Sequence, residues 1–323
     1  MTHNTQLRQL GTSDLWVSPV GFGCWPISGI SSLDVTDEWS VKTLRAAFDA
    51  GINFFDTAYS YGYDGEADRL LRIALAGRRD RVVLASKVGS HYDQDRRRVV
   101  DGRPETLIAQ AASILKRLDI EQLDLLYLHQ PDPAVAIEES AGAIADIVAR
   151  GWARYAAVSN VNADQLVKFH ATCPIVAVQP PYNMLQQNDW LSIRDVCARN
   201  SISAVCYWVL MKGLLAGKLP RDHQFDPRDR RLTYDIYQGE KWERSQDFLD
   251  RLKGLSAELG CTVAQLVIAW TVQQPGITVA LCGAKRPEQI EETARAMSLR
   301  LEDTVMNRIE GWLLEVNAEA ASP

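Results

Sequence analysis

The sequence predicts a (β/α)₈ barrel, and three of its features point that way. Eight apolar, strand-length runs alternate with helical ones from Val20 to the last third of the chain. These runs are apolar along their length rather than at every second position, as parallel strands covered on both faces are. No G-x-G-x-x-G follows the first run, which weighs against an open, doubly wound sheet. At 323 residues the chain suits one barrel domain spanning 1–323, with about three quarters of its unfolded surface buried on folding.

Each element has a local reason. Two short runs around Gly11-Thr12-Ser13-Asp14 predict a hairpin that feeds a first strand over 20–24. Thr36 or Asp37 can cap a helix with Trp39, Leu44, Ala47 and Phe48 on one face, stopped at Ala50-Gly51. Further strands are expected over 52–55, 82–86, 123–128, 155–159, 175–179, 202–207 and 277–281. Helices are expected between them, over 66–76, 104–117, 137–150, 163–170, 190–199, 244–259 and 263–273. Pro104 opens one helix, Asn162 and Thr262 cap two others, and Gly151 and Gly260 stop two. The polar stretch 219–243, rich in Arg, Asp and Tyr, reads as an extended loop and a candidate lid, because loops after barrel strands build the functional face.

Composition narrows the function. Thirty-five Lys and Arg against 41 Asp and Glu leave a net charge of −6, which argues against a general nucleic-acid binder. With 46% hydrophobic and 24% charged residues, the chain is too apolar for disorder. Its six cysteines form no CxxC pair and no Cys/His cluster at metal spacing. They read as reduced, buried thiols of a cytoplasmic protein, with no metal. The opening MTHNTQLRQL lacks a basic segment followed by an apolar one, so no secretory signal is expected. The apolar run 263–272 is too short to span a bilayer.

Polar residues stand at the ends of the expected strands: Asp56, Lys87, His129, Ser159 with Asn160, Gln179 and Tyr207. Any one of them has a structural explanation, as a cap, a solvated charge or a packed histidine. Gathered at the C-terminal rim of one barrel, they argue for a site.

These residues sit in segments that closely resemble the aldo-keto reductase superfamily. The likeness is carried by GINFFDTAYSYGYDGEADRLL, SKVG at 86–89, YLHQPD at 127–132, VSN at 158–160, VQPPYN at 178–183, GLLAGK at 213–218 and GAKRPEQIEE at 283–292. It implies a catalytic tetrad of Asp56, Tyr61, Lys87 and His129, and reduction of aldehydes or ketones to alcohols with hydride from NADP(H). Chemistry alone leaves Tyr59, Tyr61 and Tyr63 open as the acid; the family's Asp-to-Tyr offset selects Tyr61. Negative charge builds on the carbonyl oxygen and needs a proton and a field. Lys87 beside Tyr61 is expected to lower the phenol's pKa, Asp56 to keep the ammonium charged, and a neutral His129 to orient the substrate.

The resemblance also implies the cofactor contacts. Ser159, Asn160 and Gln179 match positions that bind the nicotinamide carboxamide, and Tyr207 matches the ring that stacks on the nicotinamide. The family's usual Ser-Pro-Leu is here Trp208-Val209-Leu210, which keeps backbone contacts at Leu210 and removes a serine hydroxyl. Lys218 matches a phosphate-contacting lysine. Gly283, Lys285 and Arg286 precede a helix beginning near Pro287, an anion site for the 2′-phosphate, with Gln289 and Glu292 near the ribose and adenine. Thr293 stands where the family has Asn. Trp25, Tyr59, Tyr92 and Trp208 are candidates for an apolar substrate wall. The runner-up reading is a cofactor-binding regulator like the potassium-channel β subunits, and a third is a Schiff-base enzyme using Lys87 as nucleophile.

Overall fold

The computed structural model describes residues 6–320. A small hairpin of β1 (Arg8–Gln9) and β2 (Trp16–Val17) comes first. Eight strands then pair in parallel and close on themselves: β3 (Val20–Gly23), β4 (Phe54–Asp56), β5 (Val83–Val88), β8 (Leu123–Leu128), β9 (Ala153–Ser159), β10 (Ile175–Gln179), β11 (Ser203–Cys206) and β12 (Ile277–Cys282). The expected barrel is present. Its helices are α1 (Asp37–Asp49), α2 (Glu66–Ala74), α3 (Pro104–Leu118), α4 (Ile137–Ala149), α5 (Ala163–Thr172), α6 (Asn188–Arg199), α7 (Gly239–Glu258), α8 (Val263–Val272), α9 (Pro287–Ala294) and α10 (Asp303–Ala320).

The start signals operate as their chemistry requires. Thr36 accepts the N–H of Trp39, and Asn162 and Thr262 each form a capping box with a glutamine three residues on. Residues alternate across the strands. Val83, Ala85, Leu125, Tyr127, Ala157, Ala177, Val205 and Val279 fill the barrel interior, while Leu84, Leu126, Leu128, Val158 and Val178 pack outward against helices. The hairpin stoppers one end of that interior core with Leu10, Leu15 and Val17, all nearly inaccessible.

Three features depart from the sequence reading. A second hairpin, β6 (Ser90–Tyr92) with β7 (Arg98–Val100), follows β5. Helix α7 starts at Gly239, inside the expected loop, because Trp242 is buried in its first turn and donates from Nε1 to the Arg221 carbonyl at 2.9 Å. A last helix, α10, buries Ile309 and Leu313 against the main core. Among the described residues no single helix is long and apolar enough to cross a membrane; α7 and α8 together have the length but meet at 91°, and α8 is buried throughout.

Candidate active site

The alternation that fills the barrel also builds the site. On β4 the inward face continues from Phe54 to Asp56, on β5 from Val83 and Ala85 to Lys87, and after β8 from Leu125 and Tyr127 to His129. Ser159 and Gln179 end β9 and β10 in the same way. A two-residue period therefore lifts each polar group one layer above the apolar plug.

Lys87 is the hub. Its Nζ donates to Asp56 Oδ1 in a close ion pair, to the Thr57 carbonyl at 3.0 Å and to Tyr61 Oη at 3.3 Å. Both members of the ion pair are 1% exposed. Gln179 Nε2 donates to the other Asp56 oxygen at 2.9 Å. Tyr61 also meets Trp25 edge-on at 5.3 Å and His129 at 6.0 Å between ring centroids. Gly62 permits this turn: its φ is +118°, and a Cβ there would fall 1.9 Å from Glu66 Oε2 and 2.6 Å from the Glu66 nitrogen.

The structure separates the three tyrosines. Tyr59 lies under the Arg117 guanidinium, 4.3 Å from its ring centre, and Tyr63 packs with Tyr92 and Arg96. Of the three hydroxyls, that of Tyr61 is the one hydrogen-bonded to the Lys87 ammonium. Tyr59 packs under Arg117 of α3, one of the two places, wall or packing, that the sequence allows it.

Electrostatics assign protonation states. Burial depresses Lys87, but Asp56 and Tyr61 outweigh it and hold the ammonium above its ordinary value. An ammonium paired with Asp56 and held above its ordinary value is a poor Schiff-base nucleophile, which weighs against that reading. Burial raises Tyr61, and the Lys87 charge opposes the rise without reversing it. The expected lowering of the phenol is therefore corrected: desolvation wins, and Tyr61 holds its proton at neutral pH. Burial, then the charges of Lys87 and Arg98, hold His129 well below the ordinary histidine value, so it is neutral. Its Nδ1 is buried without a hydrogen-bond partner among the described residues. Beneath the site, Thr57 Oγ1 donates at 2.8 Å to Asp68, a buried carboxyl on α2 that burial lifts to about 7 and whose second oxygen is 3.8 Å from Arg117.

Around this centre Ser159, Asn160, Gln179 and Tyr207 form one network, and the other cofactor candidates form separate groups. Ser159 Oγ donates to the Gln179 carbonyl at 2.8 Å, and Asn160 Nδ2 donates to the His129 carbonyl at 2.8 Å. Tyr207 Oη donates to Asn160 Oδ1 at 2.7 Å. After β11, Trp208, Met211 and Lys212 hold positive φ on either side of Leu210, strain that side chains tolerate chiefly at functional loops. Lys218 and Glu292 form an ion pair with each other. At the start of α9, Gln289 Oε1 accepts the N–H groups of Lys285 and Arg286 at 2.8 and 3.1 Å, and Arg286 donates to the Asp34 carbonyl at 2.9 Å. Gly283 approaches its neighbours so closely that a Cβ would sit 2.5 Å from Pro26 Cγ.

The candidate lid is docked on this side. Tyr237 Oη donates to the Met211 carbonyl at 3.0 Å, and Lys212 is sandwiched between the rings of Trp208 and Tyr234, 3.9 and 3.0 Å from their centres. Asp229 is held low by Arg231 first, with Lys285 adding to the effect from α9. Sequence reasoning missed Thr57, Tyr127 and Arg98. For Tyr127 the inward alternation of β8 is the usable signal.

A closed parallel barrel gathers a phenol, a buried ammonium and an imidazole at one rim, a set able to protonate and polarise a carbonyl oxygen. The aldo/keto reductase family model matches residues 19–313. An aldo-keto reductase of Bacillus subtilis, YhdN, is 31% identical, over 96% of this chain and 90% of its own. A probable voltage-gated potassium channel subunit beta of Arabidopsis thaliana is 32% identical, over 94% and 95%. The structure of the glycerol dehydrogenase AKR11B4 from Gluconobacter oxydans superposes with a TM-score of 0.89 at 27% identity, covering 99% of this chain and 98% of that one. The chain belongs to the aldo/keto reductase family, and it is an oxidoreductase.

Proposed function

We propose that the protein works as a carbonyl reductase in which Tyr61 is the acid. The observation that carries this reading is Tyr61 Oη at 3.3 Å from the Nζ of Lys87, itself sealed against Asp56. Reduced nicotinamide, when bound, supplies hydride to the carbonyl carbon. Tyr61 holds the proton at Oη and releases it to the oxygen as negative charge develops there. Lys87 steadies the phenolate so formed, and Asp56, fixed by Gln179, keeps Lys87 charged and aimed. Neutral His129 orients the oxygen beside the Tyr61 ring.

The donor set fits the dinucleotide. Ser159, Asn160, Gln179 and Tyr207 would hold the nicotinamide end. The backbone at Leu210, with Lys218, would face the pyrophosphate. Gly283, Lys285 and Arg286 would take the 2′-phosphate, and Gln289 and Glu292 the adenosine. Lys285 is half-buried just ahead of α9 and is held by the charge of Asp229 of the long loop, a contact that an anion at this helix start would replace. All six cysteines are unpaired, five of them buried, which supports the cytoplasm as the compartment. The burial of Ile309 and Leu313 from α10 in the main core supports residues 1–323 acting as one domain.

The likeness to a channel β subunit keeps a regulatory reading in play. Turnover of NADPH with a panel of short aldehydes separates the two. Steady oxidation of NADPH supports the reductase; tight NADPH binding without turnover favours the regulator.

A further inference from the structure

The hairpin beside the tetrad carries a guanidinium that neither the tetrad nor the cofactor contacts use. Arg98 lies on β7, opposite Tyr92 in the second hairpin. Its Nε donates to Ser90 Oγ at 2.8 Å and its Nη2 to Gln130 Oε1 at 3.2 Å. Ser90 begins β6 two residues after β5 ends, and Gln130 directly follows His129. The head group is therefore clamped between the two segments that deliver Lys87 and His129.

Arg98 forms no ion pair among the described residues, whereas its neighbours do: Arg97 with Asp95, and Arg103 with Asp101. Acids of the long loop are likewise engaged, Asp229 with Arg231 and Asp235 with Lys241. Asp132 is occupied by the N–H groups of Gly102 and Ala134. Asp189 accepts from Gln186 Nε2 at 3.3 Å and acts on Tyr207 by its charge. The charge of Arg98 is felt at His129, Tyr207 and Tyr92, behind burial in each case, and Arg230 of the long loop adds to it at Tyr92. In a chain of net charge −6, Arg98 and Arg230, neither of them in an ion pair among the described residues, are a local reversal of sign.

We infer that the substrate carries a carboxylate a few bonds from its carbonyl, and that Arg98 recognises it while Tyr61 and His129 engage the carbonyl oxygen. The inference rests on the reductase reading. A planar guanidinium fixed at one edge leaves its remaining N–H donors to pair with a carboxylate. The cofactor candidates come from β9 to β12 and α9, so a cation on the β6–β7 hairpin addresses the substrate and not the dinucleotide.

The test compares 4-oxobutanoate with its methyl ester, nearly the same shape without the charge. Wild type should favour the acid at least tenfold in kcat/KM. Arg98→Gln should bring that ratio close to one, chiefly through a raised KM for the acid; Arg98→Lys should keep part of the preference. Equal turnover of acid and ester by wild type, or an undiminished ratio in Arg98→Gln, would overturn the inference while leaving the reductase reading intact. Wild type that oxidises NADPH with neither compound nor any simple aldehyde would sink both. A rise in the NADPH dissociation constant of Arg98→Gln would place the residue on the cofactor and count against this assignment.

Discussion

Asp68 offers a perturbation whose size follows from the structure. Its carboxyl is wholly buried on α2, accepts one hydrogen bond from Thr57 and faces Arg117 at 3.8 Å, too far to hydrogen-bond. Burial therefore lifts it from the ordinary 3.8 to about 7. A folded state that keeps the proton to a higher pH than the unfolded chain is favoured at low pH and loses stability as pH rises. The loss runs from about pH 4, where the unfolded carboxyl ionises, to about pH 7, and is flat beyond. Some three units at about 1.4 kcal/mol each make roughly 4 kcal/mol. Asp68→Asn keeps an acceptor for Thr57 and cannot ionise, so it lacks this slope. Urea unfolding of both proteins at pH 4.5, 6 and 7.5 should show the variant gaining on wild type at each step, by about 3–4 kcal/mol in all. Parallel stability curves would refute the reasoning, as would a variant that falls behind as pH rises.

Three further outcomes are expected. Lys87→Met should abolish turnover yet leave a folded barrel by circular dichroism, destabilised by about 3–5 kcal/mol because Asp56 loses its partner; an unfolded variant would make Lys87 chiefly structural. NADPH should bind at least tenfold more tightly than NADH, less so at high salt, and Lys285→Ala with Arg286→Ala should remove most of the difference. Fluorescence titration of both dinucleotides reads this directly. Because Tyr61 stays protonated and His129 neutral, carbonyl reduction should be level between about pH 6.5 and 9, whereas alcohol oxidation, which needs the tyrosinate, should climb with pH; a fall in reduction centred near pH 6.5 would mark a titrating His129.

Much of this was legible in the sequence where burial dictates pattern. Strands β8 and β10 have the bounds expected of them, because runs apolar on both faces can lie only between helices and an apolar interior. The rim residues were legible as a set for the same reason. What the sequence hid depends on partners remote in the chain or on polar turn chemistry. The β6–β7 hairpin has no apolar alternation; Asp93 makes its turn by accepting the N–H groups of Asp95 and Arg97, with Arg96 at positive φ. Start of α7 is fixed by Trp242 finding a cover in the 221 segment. The direction of the Tyr61 shift likewise needed coordinates, since proximity to Lys87 was readable and depth of burial was not.

The central claim is that Tyr61, not Tyr59, delivers the proton from beside Lys87. Steady-state reduction of a short aldehyde by wild type, Tyr61→Phe and Tyr59→Phe, with NADPH affinity measured on the same preparations, tests it most directly. Tyr61→Phe should lose about 10²–10⁴-fold in kcat with NADPH affinity nearly unchanged, and Tyr59→Phe should stay close to wild type. Near-normal turnover in Tyr61→Phe, or a dead Tyr59→Phe beside it, would contradict the account.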